Sequence, residues 1–287
     1  NLILRNKEEL DLLDQRQTLD FFQKVKPDYV IDAAAKVGGI LANNNYPAQF
    51  IYENIQIQSN IIHSAYLAGV KKLLFLGSSC IYPRECPQPM KEEYLLTGPL
   101  ESTNEPYAIA KISGIKMCQS YNRQYGTNFI AVMPTNLYGQ NDNFDLQSSH
   151  VLPAVIRKFH EVKIKKSPYV EAWGTGNPLR EFLYVDDMAD GCIFLMNNFN
   201  PTKEQNEKGE VFVNLGTGKE VSIKELYELG KKITGFSGEI KWDNSKPDGT
   251  PRKLLDVSKM NEMGWKYRTE LEEGMAQSYK WFLENYN

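Results

Sequence analysis

Leu73-Leu74-Phe75-Leu76-Gly77-Ser78-Ser79-Cys80, read with Tyr107-Ala108-Ile109-Ala110-Lys111 about thirty residues later, is the stretch that decides the fold. The unbroken apolar run that closes on Gly-Ser-Ser reads as a strand buried on both faces. Four residues make about one helical turn, so Tyr107 and Lys111 leave one face of a helix. An ammonium beside a phenol favours the phenolate, which brings a group of ordinary pKa about 10 toward use as a general acid or base. Ser78, at the strand's end, is placed to hold a substrate oxygen against that tyrosine. A second pair at the same spacing, Tyr227 and Lys231, reads as a surface helix, because no strand with a serine-rich end precedes it.

Outward from this stretch, strands and helices alternate. Asn1-Leu2-Ile3-Leu4 reads as the tail of a strand, Thr18 to Val25 as a short amphipathic helix, and Tyr29-Val30-Ile31-Asp32 as the next strand. That strand runs into Ala33-Ala34-Ala35, where small side chains let a ligand approach the backbone. A helical pattern spans about 48–68 and is closed by Gly69. The helix of Tyr107 runs to Tyr125, and Phe129-Ile130-Ala131-Val132-Met133 is a further buried strand. Continuous apolar strands separated by helices predict an α/β fold with a doubly wound parallel sheet. Ligands of such sheets collect at the C-terminal strand ends, where Ala33–Ala35, Gly77–Cys80 and Pro134-Thr135-Asn136 all fall.

Past about residue 140 the texture changes to a smaller α/β lobe. We expect one domain over 1–140 and a second over 141–287, with segments around 180–220 returning to the main sheet. The second region reads as a helix over Leu152–Phe159, a hairpin region around Trp173–Asn177, and the run Arg180–Asp187. A polar loop follows over 200–209, then a strand Val211–Leu215 and a helix capped by Ser222. Pro247-Asp248-Gly249-Thr250-Pro251-Arg252 is turn chemistry with an embedded cation.

The bulk composition excludes several classes. A chain of 287 residues with mixed charges and a net charge of −3 has no footprint of a nucleic-acid or membrane-surface binder. No apolar run approaches a bilayer span and no signal segment opens the sequence. Cys80, Cys86, Cys118 and Cys192 show neither zinc spacing nor a disulfide framework, and His63, His150 and His160 form no metal-binding pair. The expectation is a cytoplasmic enzyme without a metal.

Five stretches carry a resemblance: 34–39 (Ala-Ala-Lys-Val-Gly-Gly), 76–83 (Leu-Gly-Ser-Ser-Cys-Ile-Tyr-Pro), 104–111 (Asn-Glu-Pro-Tyr-Ala-Ile-Ala-Lys), 133–139 (Met-Pro-Thr-Asn-Leu-Tyr-Gly) and 246–253 (Lys-Pro-Asp-Gly-Thr-Pro-Arg-Lys). With them the sequence resembles the extended short-chain dehydrogenase/reductases over nearly its whole length. The Tyr/Lys pair is generic to that family, whereas the Ser-Ser-Cys stretch and 246–253 are far more specific. The resemblance implies a Rossmann-like NADP-binding domain whose first βα unit, with its glycine-rich turn, is missing from this chain.

The activity implied is the conversion of GDP-4-keto-6-deoxy-D-mannose to GDP-L-fucose, by epimerisation at C3 and C5 and then reduction at C4 by NADPH. Inversion beside a ketone needs a base on one face and an acid on the other. By the resemblance Cys80 is the base and His150 the acid, Ser78 and Tyr107 hold the enolate oxygen, Tyr107 gives the proton in reduction, and Lys111 bonds the nicotinamide ribose. Arg5 and Lys7, where an NAD site tends to carry an acid, suit a 2′-phosphate and argue for NADP(H). Further cofactor contacts implied are Leu10, Asp11, Leu12, Leu76, Gly77, Ser78, Ser79, Lys111, Pro134, Thr135, Asn136, Leu137 and His150. For the GDP-sugar, Lys158, Arg180 and Arg252 supply cations, Trp173 an aromatic face, and Asp248 a further contact. Helices 48–68 and 107–125 resemble those of a homodimer interface, their alternative being ordinary core packing.

Three other readings compete. A 4-epimerase or 4,6-dehydratase of the same fold is one, but such dehydratases resemble Thr-Asp-Glu where this chain has Ser78-Ser79-Cys80. A silent nucleotide-binding regulator is opposed by intact Ser78, Tyr107 and Lys111. A cysteine hydrolase using Cys80 and His150 needs the thiol at a helix N-terminus, which Pro83 and Pro87 discourage.

Overall fold

The computed structural model describes residues 1–246 and 248–286, so Pro247 of the expected turn lies outside the described residues. Two compact units divide the chain. The first comprises Asn1–Pro83, Leu95–Met133 and Cys192–Val213, and the second Arg84–Tyr94, Pro134–Gly191 and Asn214–Asn287.

The first unit runs α1 (Gln15–Val25), β1 (Tyr29–Asp32), α2 (Ile40–Asn45), α3 (Pro47–Leu67), β2 (Lys72–Leu76), α4 (Glu105–Tyr125) and β3 (Phe129–Pro134). Asp14 caps α1 through the Gln17 N–H, and Gly69, at φ +74°, follows α3 as expected of a residue that must turn left-handed. The pairs β1/β2 and β2/β3 are parallel, and Leu73, Leu74, Phe75 and Phe129 to Met133 are fully buried. Residues 1–6 form no strand, because a strand exists only by its neighbour's hydrogen bonds and none pairs with this segment among the described residues. Leu2 and Leu4 are exposed there.

The second unit carries β4 (Asn136–Tyr138), α5 (Val151–Ile164), β5 (Tyr169–Trp173), β6 (Leu179–Arg180) and β7 (Phe182–Tyr184). After β7 come α6 (Val185–Asn198), α7 (Lys203–Lys208) and β8 (Phe212–Leu215), which bring the chain back beside β3 in the sheet order β1-β2-β3-β8. The remainder is β9 (Val221–Ser222), α8 (Ile223–Thr234), β10 (Glu239–Asp243), β11 (Arg252–Lys253), α9 (Ser258–Glu262) and α10 (Leu271–Asn285). Strands β5 and β10 pair in parallel, as do β4 and β7, while β6 pairs parallel with β11 and antiparallel with β9. The core of this unit is aromatic: Tyr138, Phe144, Phe159, Tyr227, Phe236 and Phe282.

Three sequence readings are corrected here. The 200–209 segment holds α7, because Thr202 and Gln205 close a reciprocal capping box at its start. The 173–177 region is not a hairpin: β5 pairs with distant β10, and Gly174 and Gly176, both at positive φ, turn the chain toward β6. Tyr227 is no surface residue; it is buried and packs edge-on against Phe159 and tilted against Trp242. No helix among the described residues is long and apolar enough to cross a membrane.

Candidate active site

In the first unit, β2 delivers its end residues by close packing. The Gly77 N–H bonds Val132 O at 2.9 Å, and any side chain at Gly77 would collide with that of Met133. Ser78 leaves the strand extended, and its hydroxyl accepts the Cys80 N–H at 3.4 Å, starting a single 3-10 turn over Ser79–Ile81. That turn is too short to be the helix N-terminus a cysteine hydrolase requires.

α4 meets this turn because glycine lies under it. A Cβ at Gly114 would collide with the Phe75 ring, so the helix rests directly on β2. Gln58 of α3 holds it there, donating to Ala110 O at 2.6 Å and to Ser113 Oγ at 2.7 Å. One turn before Gly114, the buried Lys111 ammonium donates to Leu76 O at 2.8 Å and sits 4.8 Å over the Phe75 ring. Tyr107, edge-on to Phe50, hydrogen-bonds with Ser78, and the thiol of Cys80 is in electrostatic contact with both Tyr107 and Lys111. Ser78, Cys80, Tyr107 and Lys111 therefore form one cluster.

The electrostatics depart from the expectation in one respect. Burial, with Cys80 adding to it, pushes the Tyr107 hydroxyl above the ordinary tyrosine value, against the hydrogen bond with Ser78. The Lys111 charge does not bring the phenol down here, since its ammonium is aimed at Leu76 O, with Nζ 5.7 Å from the tyrosine ring centroid. Burial pulls Lys111 down as well, and Asp32 is the first group to oppose that.

Of the expected cofactor residues in this unit, Arg5 and Lys7 are exposed, with the Arg5 guanidinium 5.6 Å over the Phe21 ring. Leu10, Asp11 and Leu12 lie half-buried in a turn; Asp11 accepts the Leu13 N–H, and Asn60 of α3 donates to Leu12 O at 2.8 Å. The second unit holds the rest. Thr135 and Asn136 both donate to Glu181 O, and Leu137 pairs with Leu183 in register. The 134–137 stretch is thus mostly strand rather than a plain turn. His150 is the exposed N-cap of α5, opposing the upward push that burial gives the Asp142 carboxyl.

The expected nucleotide-binding groups of the second unit fall into two sets. Trp173, 58% exposed, has Lys158 Nζ 5.0 Å and Lys246 Nζ 5.5 Å from its ring centroid. Asp248 accepts from the Thr175 N–H and hydroxyl at 2.9 and 2.6 Å, and its charge opposes the downward push that burial gives Arg180. Asp187 accepts from the backbone N–H groups of Arg268 and Thr269 at 3.1 and 2.8 Å. Arg252 is held in a two-point ion pair by Glu220 at 2.7 and 2.8 Å, so a phosphate there has to compete with a carboxylate.

Comparison with known proteins agrees with this architecture. Residues 3–215 match the model of the NAD dependent epimerase/dehydratase family. The chain belongs to that family. Among its relatives, the putative GDP-L-fucose synthase 2 of Arabidopsis thaliana is 59% identical over 285 residues, 99% of this chain and 84% of the relative. The GDP-L-fucose synthase of Escherichia coli (strain K12) is 55% identical over 285 residues, 99% of this chain and 89% of the relative. A GDP-mannoheptose C4 reductase from Campylobacter jejuni, solved with NADP bound, superposes with a TM-score of 0.89 at 41% identity, covering 99% of this chain and 90% of that one.

For a member of the NAD dependent epimerase/dehydratase family, the first unit's donors fit a dinucleotide. Parallel strand ends with small residues at Ala33–Ala35 and Gly77 leave backbone within a ligand's reach. Neither Arg5 nor Lys7 is in an ion pair among the described residues, which leaves both able to meet a 2′-phosphate. Sequence reasoning missed two buried carboxylates, Asp32 in the first unit and Glu181 in the second. An acid inside an otherwise apolar strand was the available signal for Asp32.

Proposed function

We propose that this chain converts GDP-4-keto-6-deoxy-D-mannose to GDP-L-fucose, inverting C3 and C5 and then reducing the C4 ketone with NADPH. Relatives at 55–59% identity that are named GDP-L-fucose synthases support the reading. The observation that carries it is the thiol of Cys80 within electrostatic reach of both Tyr107 and Lys111. Reduction alone needs a proton donor and a hydride; a thiol against the same pair supplies the base that inversion beside a ketone demands.

In this reading the first unit holds NADP(H) and the second the GDP-sugar, with Lys158, Trp173, Arg180, Asp248 and Arg252 as its contacts. Cys80 takes the proton next to the ketone, His150 returns one to the opposite face, and Ser78 and Tyr107 hold the oxygen of the enolate between the two. NADPH supplies the hydride at C4. Tyr107, kept protonated by its burial, gives the proton to the C4 oxygen, and Lys111 bonds the nicotinamide ribose. α3 and α4 form the face of a homodimer, and four reduced cysteines fit a cytoplasmic setting.

The test follows the two stages separately. In D2O with the keto-sugar and no NADPH, wild type washes deuterium into C3 and C5, read by proton NMR; added NADPH is then consumed. Cys80→Ser loses the exchange by about 100-fold or more while still binding NADPH, and Tyr107→Phe loses NADPH consumption by about 100- to 10,000-fold. Exchange at the wild-type rate in Cys80→Ser removes the thiol from its role, whereas no exchange in wild type leaves a C4 reductase.

A further inference from the structure

Asp32 ends β1 in register with Phe75 of β2, so both side chains leave the parallel sheet on the same face. That is the face on which α4 rests through Gly114, with Lys111 over the Phe75 ring. The carboxylate is 3% exposed and so is Lys111. Oδ1 accepts the Ala34 N–H at 3.2 Å, while Oδ2 is buried with no hydrogen-bond partner.

The backbone contact alone does not account for an acid here. An asparagine accepts the Ala34 N–H equally well and spares the cost of a buried charge. What a carboxylate adds is its field. α4 presents Lys111 and Cys118 to it, the 3-10 turn presents Cys80 to Lys111, and α3 brings the neutral Gln58 to α4. Lys36, in the loop after β1, is already in an ion pair with Glu53 at 2.9 Å. Lys111 is therefore the cation that Asp32 acts on.

We propose that Asp32 is a positioning residue for Lys111: its carboxylate, buried on the same face of the sheet, keeps that ammonium charged for its part in the reduction. The inference rests on Lys111 bonding the nicotinamide ribose in the proposed reduction. Burial pulls Lys111 toward the neutral amine, which takes the charge away as pH rises; Asp32 is the first group to oppose that pull. Burial raises the Asp32 carboxyl to about 6, with the Lys111 charge opposing, so across the neutral range it is ionised and the offset is in force.

Asp32→Asn tests this, because it keeps the acceptor for the Ala34 N–H and removes only the charge. The alkaline limb of kcat for NADPH-dependent reduction moves down by about one pH unit, and Asp32→Glu restores it. In protein labelled with [ε-13C]lysine, without cofactor, the Lys111 signal (assigned by its loss in Lys111→Arg) titrates at lower pH in Asp32→Asn. In wild type the same signal also shifts near pH 6 as Asp32 takes its proton, a reading that needs no folded variant. Profiles and titrations that superimpose on wild type, with no wild-type shift near pH 6, overturn the proposal. A wild type inactive on the keto-sugar overturns the functional reading instead, while the lysine titration still decides whether Asp32 acts on Lys111.

Discussion

Asp32 and Glu181 are both buried carboxylates, yet their surroundings make opposite use of the charge. Glu181, 0% exposed in the second unit, accepts the N–H groups of Thr217 at 2.6 Å, Gly218 at 2.7 Å and Leu255 at 2.9 Å. Burial pushes its pKa up, and those three bonds pull it back. Asp32, in the first unit, has one such bond and one oxygen with none. A carboxylate that satisfies three backbone donors is a joint of the fold; one left partly unsatisfied beside a single lysine is a source of field. The contrast separates an acid kept for structure from an acid available to chemistry.

Breaking the structural member has the largest effect. Glu181→Leu leaves the Thr217, Gly218 and Leu255 N–H groups without their acceptor and costs about 3–5 kcal/mol in urea unfolding; Glu181→Gln, which turns an amide donor on one of them, costs about 2 kcal/mol. A near-neutral Glu181→Leu erases the contrast. Lys72 is the cationic counterpart of Glu181 in the first unit. Its buried ammonium donates to Leu195 O, Met196 O and Phe199 O at 2.7–3.0 Å and to Asn200 Oδ1 at 3.1 Å, closing the C-terminal end of α6. Lys72→Met is expected to cost about 2–3 kcal/mol, with hydrogen exchange accelerated in residues 195–200 ahead of the β2 core.

The sequence made the local relations readable and hid the distant ones. Tyr107 and Lys111 share a helix face by spacing alone, and Ser222 announces its helix by a capping box with Glu225. The strand ending at Gly77 follows from four apolar residues and a glycine. Glu181 sits in the run Arg180–Asp187, where nothing local marks its bonds; its role appears only when the chain returns at Thr217 and again at Leu255. The role of Lys72 was not legible, because its acceptors lie more than 120 residues away. Tyr227 was misplaced for the same reason, since nothing beside it in sequence announces Phe159 or Trp242 as its partners. The Lys111 orientation was missed because spacing fixes the side of a helix and not where a long side chain ends; Gly114 and Leu76 O decide that.

The smallest effect sharpens the comparison most, because its sign is opposite. In the unfolded chain Asp32 titrates near 3.9, and in the folded chain burial raises it to about 6. Between these values the folded state holds a proton that the unfolded state has released. The group's favourable contribution is therefore full below about pH 4 and is lost as pH rises through about 6. Above that, wild type carries the cost of a buried charge, which Asp32→Asn removes. The variant is expected to be more stable than wild type by about 1–2 kcal/mol at about pH 7.5 and nearly equal to it at about pH 3.5, read by urea unfolding at each pH. Lys111→Met strips Asp32 of the charge that opposes its burial, so in that background the gain from Asp32→Asn grows and the cycle yields the coupling between the two residues. If the gain is the same with and without Lys111, the acid at the end of β1 answers only to its own burial, and Asp32 is no regulator of the lysine.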